Sequence, residues 1–412
     1  MAKLKTITLG CRLNTFESEV IRELGKNSEL DDLIVINTCA VTAEAERQAC
    51  QTIRRTAREN PQSKIIVTGC AAQLNPKKFS EMEEVDRVLG NKEKLDLKFL
   101  SGDGPSVQVD DIMIVKETTP HLIKAMEGRT RAFVQVQQGC DFRCTYCIIP
   151  FARGPSRSVK VIEIVKQISE LVDVGHNEIV LTGVDICSYS AEGAHNLGEL
   201  VGRILIEIPK LERLRLSSLD PAAIDDNLFK LLAREPRLMP HLHLSLQAMD
   251  DMILKRMKRR HTRADVIALV MRARAARQDI VFGADLIAGF PTETDEMFKN
   301  TLGGVKELDL TYLHVFPFSP RPGTPASNMP PVNRSIVKAR ATQLRALGEI
   351  NLKRFLASRS GYLEQVLVEK NRQGLSQHFA PVKLDFDAEP GALVNAHVTA
   401  ATDSFLLASR AV

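Results

Sequence analysis

Short apolar runs alternate with stretches of helical periodicity along most of the chain, and the period changes only near its end. Residues 6–9, 33–36 and 64–68 read as strands, and residues 17–24 and 43–59 between them carry apolar positions at helical spacing. That order predicts parallel strand–helix–strand units and an open parallel α/β sheet over residues 1–118. Residues 101–128, with Gly102, Gly104, Pro105 and Pro120 around a short apolar run at 112–115, read as a linker region. Six further strands are expected at 132–136, 178–181, 213–216, 241–246, 280–287 and 312–316, with helices such as 161–171 and 264–277 between them. This predicts a partial (β/α)6 barrel over 126–357, closed by a helix at 336–357, with its chemistry at the C-terminal strand ends. Residues 358–412 switch to β patterning at 363–369, 377–386 and 393–408, broken near Thr402-Asp403, which predicts a small β-barrel.

At 412 residues the chain exceeds one ordinary core, in keeping with several units. No apolar stretch approaches the roughly 18 residues of a membrane span. The first residues read as a strand and lack the long apolar core of a signal peptide. A cytoplasmic protein without membrane contact is expected, and a monomer, since no heptad or other assembly signal is present. In that compartment the eight cysteines read as metal ligands and free thiols, not disulfides.

Three of them lie in the run Gln138-Gly139-Cys140-Asp141-Phe142-Arg143-Cys144-Thr145-Tyr146-Cys147. A loop of this length can present three thiolates to three corners of one cubane iron–sulfur cluster. No fourth cysteine follows nearby, so one iron stays open to a ligand that is not protein. A structural zinc site would close its fourth position, and electron-transfer clusters are held by four cysteines. An open iron suits binding and reductive cleavage of S-adenosylmethionine. The spacing, together with Gly139 and the aromatic Tyr146 before the last cysteine, resembles the signature of the radical-SAM superfamily; the bland alternatives are a zinc knuckle or a chance cluster of thiols.

Cys11, Cys39 and Cys70 each stand where an expected strand ends. Ligands of open parallel sheets bind beyond the carboxyl ends of the strands, so these cysteines would converge at one edge. The residues alone leave two readings open: a second three-cysteine cluster, or three buried small hydrophobes. Cys50 and Cys187 match no strand-end turn and read as plain thiols.

Taken whole, the chain resembles the methylthiotransferases, which join an N-terminal three-cysteine domain to a radical-SAM domain and usually a C-terminal TRAM domain. Gly10-Cys11, Asn37-Thr38-Cys39, Gly69-Cys70 and Arg153-Gly154 match landmarks of that family. The runs Gly10-Cys11-Arg12-Leu13-Asn14, Cys39-Ala40-Val41-Thr42 and His314-Val315-Phe316-Pro317 are similar to its MtaB-type branch. Those enzymes convert N6-threonylcarbamoyladenosine at tRNA position 37, in the anticodon loop, to its 2-methylthio derivative. The resemblance implies two [4Fe–4S] clusters, on Cys140, Cys144 and Cys147 and on Cys11, Cys39 and Cys70. The first would cleave S-adenosylmethionine with an electron from an external donor, and the resulting radical would take the hydrogen from C2. The second would supply the sulfur. Contacts to S-adenosylmethionine are implied at Tyr146, Thr182, Gly183, Asp185, Ser217, Gln247 and the run from Asp285 to Gly289, and Arg153 would touch S-adenosylmethionine or substrate. The glycines at 139, 183 and 289 are expected to permit close backbone approach. The rival readings are methylthiolation of N6-isopentenyladenosine 37, methylthiolation of a ribosomal protein, and a non-catalytic iron–sulfur RNA-binding protein.

Charge narrows the RNA contact only locally, because the net charge is +4. Arg47, Arg54, Arg55 and Arg58 crowd one expected helix, and Lys255, Arg256, Lys258, Arg259, Arg260, His261 and Arg263 form a denser run. Each run is either a solvated face or a phosphate grip. The C-terminal segment carries five Lys/Arg against six Asp/Glu, which turns the expected grip toward the 255–263 run, Arg256 and Arg259 included.

Overall fold

The computed structural model describes residues 4–26, 32–102, 104–116 and 123–411, so Pro120 of the expected linker lies outside the described residues. Strands β1 (Lys5–Thr8), β2 (Leu33–Thr38), β3 (Lys64–Gly69), β4 (Arg87–Leu89) and β5 (Val107–Gln108) form one parallel sheet in sequence order. All of β2 and nearly all of β3 are buried, which is why they read as unbroken apolar runs. At three and two residues, β4 and β5 are too short to leave a pattern in the sequence. The helix Arg12–Lys26 starts five residues ahead of the expected 17–24 stretch, and Leu13 to Ile21 are all buried. Its apolar side, Phe16 and Val20, joins the core of the central barrel, while polar Asn14 and Glu17 turn toward the cysteines. The apolar run at 112–115 is a short 3₁₀ helix, Ile112–Ile114.

In the central unit, β6 (Arg131–Gln135) is followed by a small antiparallel pair, β7 (Gln137–Gln138) and β8 (Arg157–Ser158), which brackets the cysteine loop. Then come β9 (Glu178–Thr182), β10 (Arg213–Leu216), β11 (His241–Gln247), β12 (Val281–Ala288) and β13 (Tyr312–Pro317). Two parallel sheets, β10-β9-β6 and β11-β12-β13, are joined by parallel bridges at Leu214–Leu238 and Leu219–Leu244. The result is an open barrel with one continuous apolar core outside its polar lumen.

The helix Arg334–Ser358 leads to a closed barrel of β14 (Leu363–Lys370), β15 (Gln373–Ser376), β16 (Pro381–Leu384), β17 (Leu393–Ala401) and β18 (Leu406–Arg410). The strand expected at 377–386 is interrupted by a turn that carries Phe379 at φ +68°. Its ring stacks on His241 at 5.2 Å between centroids, with the Arg131 and Arg215 guanidinium groups 5.3 and 5.2 Å from its centre. Arg215 also donates to the Ser376 and Gln377 carbonyls (2.9 and 3.1 Å), and Tyr312 Oη donates to that of His378 (3.0 Å). The small barrel therefore plugs the N-terminal end of the central lumen. Among the described residues no helix is long and apolar enough to cross a membrane.

Candidate active site at two cysteine triads

The loop carrying Cys140, Cys144 and Cys147 is held from three sides. The Gln137 amide donates to the carbonyls of Gln138 (3.0 Å) and Gly139 (2.7 Å) and to Ser156 Oγ (2.9 Å). Its oxygen accepts from the backbone N–H of Val184 (3.0 Å) and Asp185 (2.8 Å), tying the loop to the end of β9. Thr145 bonds the Met257 and Arg256 carbonyls, and Cys140 N–H donates to Gly154. Arg259 reaches Cys144 Sγ at 3.7 Å while donating to the Ser245 carbonyl at 2.8 Å. Tyr146 packs against a separate apolar cluster around Met257 and Phe290, and burial pushes its phenol well above the usual range. Burial likewise pushes the Cys140 thiol to about 11 and Cys147 to about 12.

Cys11, Cys39 and Cys70 do converge, each just past β1, β2 or β3: Arg153 bonds both Cys70 and Asn14, Asn14 lies beside Cys11, and Gly10 packs on Cys39. Gly10, at φ +98°, lets Cys39 in: a Cβ there would stand 2.6 Å from that of Cys39. Beneath the triad lies a buried charged network. Arg153 donates from Nε to Cys70 Sγ (3.1 Å), and from its terminal nitrogens to Gln138 Oε1 (2.8 Å), Asn14 Oδ1 and both Glu17 oxygens. Lys94 joins Glu17 at 2.6 Å, and Asn91 and Asn37 at 2.8 and 3.3 Å. Burial alone would raise the Glu17 carboxyl, but Arg153 and Lys94 bring it down to about 2. Burial pushes the Cys39 thiol up to about 11. The network leaves a net positive charge beside Cys70, which suits a site built to hold thiolates.

Both triads fit an iron–sulfur cubane. All eight cysteines are free. In neither triad do the three sulfur atoms lie within 4.8 Å of one another. A tetrahedral zinc with Zn–S near 2.3 Å would draw three sulfurs to about 3.8 Å, closer than either triad holds them, and a larger cluster does not require that approach. Soft sulfur donors complete the match.

The other residues named from the sequence divide. Gly183 and Asp185 adjoin the cysteine loop through Gln137, and Ser188 Oγ donates to Asp185 (2.6 Å). Thr182 and Ser217 end neighbouring strands, with Ser217 N–H bonded to the Leu181 carbonyl. Gln247, at the end of β11, sits at φ +70°, a strained backbone for a residue with a Cβ. Asp285 is not in a turn, because β12 runs on to Ala288. It stands inside the lumen between His243 Nε2 (3.0 Å) and His314 Nδ1 (3.3 Å). Although burial opposes it, these hydrogen bonds hold its carboxyl well below the usual range. The three glycines do permit close approach, each to a neighbouring part of the protein. A Cβ would meet the Pro155 carbonyl at Gly139, the Gln137 carbonyl at Gly183 and the Val337 side chain at Gly289.

Arg153 is committed to the N-terminal triad and its network. Arg256 and Arg259 do not form an outward grip: Arg256 donates to Thr292 (2.8 Å) and Arg259 turns inward to Cys144 and Asp220. Lys255, Lys258 and Arg260 of that run remain exposed, as do Arg47, Arg54, Arg55 and Arg58. Glu17, Lys94, Gln137, His243 and His314 escaped sequence reading. The His241-Leu242-His243 alternation at a strand facing the lumen was the one signal that could have pointed to any of them.

Comparison with known proteins adds the following. Residues 134–303 match the Radical SAM superfamily, and residues 3–90 match Uncharacterized protein family UPF0004. The chain is 48% identical over 402 residues to the threonylcarbamoyladenosine tRNA methylthiotransferase MtaB of Rickettsia prowazekii, covering 97% of this chain and 96% of that one. It is 36% identical to the MtaB of Aquifex aeolicus (94% and 98% covered). Identity is 33% to the tRNA-2-methylthio-N(6)-dimethylallyladenosine synthase of Cereibacter sphaeroides (99% and 98% covered). Among solved structures, the radical S-adenosylmethionine methyltransferase TsrM of Kitasatospora setae shares the fold at a TM-score of 0.57 and 16% identity, over 79% of this chain and 77% of that one.

Proposed function

The chain belongs to the MtaB-type radical-SAM tRNA methylthiotransferases, and on that premise we infer that it inserts a methylthio group at C2 of N6-threonylcarbamoyladenosine 37 of tRNA. The target C–H is unactivated and beyond the reach of any side-chain base. Reductive cleavage of S-adenosylmethionine is the chemistry that a cluster on Cys140, Cys144 and Cys147 supplies. A second cluster on Cys11, Cys39 and Cys70 would supply the sulfur.

One observation carries this reading. Arg153, just past the first triad in sequence, bonds Cys70 and Glu17 on the N-terminal sheet side and Gln138 at the base of the cysteine loop. That link supports reading the two triads as neighbouring halves of one active site. Gln137 and Thr145 hold the loop rigid, Arg259 places a positive charge at Cys144, and Arg153 places another at Cys70. Asp185, Ser217 and Gln247, at strand ends beside the loop, are our candidates for S-adenosylmethionine contacts, with Tyr146, Thr182 and Gly183 supporting them. The anticodon loop is single-stranded and can present a splayed base to this opening. The exposed arginines of helix Ala43–Glu59 and exposed Lys255, Lys258 and Arg260 are the candidate phosphate contacts. We take the working protein to be a cytoplasmic monomer served by an external electron donor, with units at 1–118, 126–357 and 358–412.

Two measurements test the reading. Anaerobic reconstitution should load about eight irons per chain, as two cubanes require. Nucleoside mass analysis of tRNA from cells lacking the chain should show loss of the 2-methylthio form of threonylcarbamoyladenosine. Loss of the isopentenyladenosine derivative instead would replace the reading with its nearest rival.

A further inference from the structure

Just past Cys11, on the helix face that Phe16 and Val20 turn toward the central barrel, one cation has no partner among the described residues. Arg12 follows Cys11 directly and opens the buried helix Arg12–Lys26. It is half-buried, and its guanidinium makes no hydrogen bond or ion pair with any described residue. The charges acting on it are those of Arg131, Arg215, Glu178 and Asp285, and it in turn acts on His241. Both acids already have hydrogen-bond partners. Glu178 is held by Arg215 at 2.7 Å and Arg213 at 3.3 Å, and Asp285 by His243 and His314 at 3.0 and 3.3 Å. A guanidinium drawn out of bulk water toward two other arginines is unfavourable unless an anion joins it.

Building on the function inferred above, we propose that Arg12 is the receptor for the carboxylate of the threonylcarbamoyl group on the target adenosine. The chemistry of the base supports the placement. C2 and C6 flank N1 on one edge of the purine, so a group carried on N6 lies close to whatever acts on C2. The residue next to Cys11 is therefore well placed to meet it. The threonyl carboxylate is the one formal charge on the modified base, and a planar guanidinium can bind it through two parallel hydrogen bonds. An isopentenyl group offers no such partner and leaves the cation unpaired, so the same side chain would reject that substrate.

The test uses the full chain with both clusters loaded. Its probes are three anticodon stem-loops that differ only at position 37: threonylcarbamoyladenosine, its threonine carboxamide, and isopentenyladenosine. Equilibrium binding is read by fluorescence anisotropy and single-turnover methylthiolation by nucleoside mass. The wild type should bind the carboxylate about ten- to a hundredfold more tightly than the carboxamide, the range of a hydrogen bond between charged groups. Arg12→Gln should lose that preference while binding the carboxamide as before, Arg12→Lys should restore part of it, and iron content should be unchanged in both. Equal binding of carboxylate and carboxamide by the wild type would overturn the assignment whatever the variants do, as would an undiminished preference in Arg12→Gln. A wild type that modifies only the isopentenyladenosine loop would instead overturn the functional reading itself.

Discussion

Cys140, Cys144 and Cys147 come from eight consecutive residues, whereas Cys11, Cys39 and Cys70 follow the ends of three separate strands of a sheet. The loop triad is fixed by hydrogen bonds to its immediate surroundings, from Gln137, Thr145 and Arg259. The strand-end triad depends on sheet register and on buried charges drawn from residues 17, 94 and 153. Damage to the first should stay local, and damage to the second should spread into the fold. Two sites of the same donor chemistry can thus differ in how they fail.

The sharpest way to break that contrast is Glu17→Gln, which leaves Arg153 and Lys94 buried without a counter-charge. It should cost about 3–5 kcal/mol, measured by denaturation, and lower the iron content by about half. Formation of 5′-deoxyadenosine should persist while methylthiolation is lost. Equal loss of both activities would mean that the triads are not independent.

Gln137→Ala is the counterpart at the loop. It removes an amide that donates to Gly139 and Ser156 and accepts from Val184 and Asp185, stranding buried backbone groups at about 1–3 kcal/mol. S-adenosylmethionine affinity and 5′-deoxyadenosine formation should fall together, with the iron on Cys11, Cys39 and Cys70 retained. Arg259→Gln is milder. It removes a cation from Cys144 and should slow 5′-deoxyadenosine formation several-fold without changing stability by more than about 1.5 kcal/mol.

The smallest effect touches neither triad and serves as a control. His378 is buried between Asp279 (3.2 Å) and Glu364 (3.1 Å) where the small barrel meets the central one. Burial opposes its charge, yet those carboxylates raise its pKa on balance above the usual 6.5. A raised histidine contributes stability that is complete below about pH 6.5 and is lost as pH rises through the folded-state value. Thermal stability should therefore decline between pH 6 and pH 9, and His378→Gln should flatten that slope while leaving iron content unchanged.

The same contrast explains what could be read from the sequence. The loop triad was legible because spacing alone sets its geometry. The convergence of the strand-end triad was legible too, since each cysteine follows an apolar strand of one expected parallel sheet, but the residues alone left open whether it holds a cluster or three buried thiols. Glu17 and Lys94 were hidden because a glutamate in a helical stretch and a lysine in a polar segment look like surface residues until packing buries them. Those inward polar residues also masked the start of the helix at Arg12. Arg256 and Arg259 misled in the opposite sense, sharing a basic run with exposed Lys255 and Lys258 while their own side chains turn in. The turn at Phe379 was read as strand because its neighbours alternate, and nothing local marks a ring that leaves its own barrel to stack on His241.

That ring orders events during synthesis. The floor of the lumen is made by residues that leave the ribosome after both cysteine triads. Until they arrive, solvent can reach His241 and the arginines from below, and any radical formed above would meet water and small thiols.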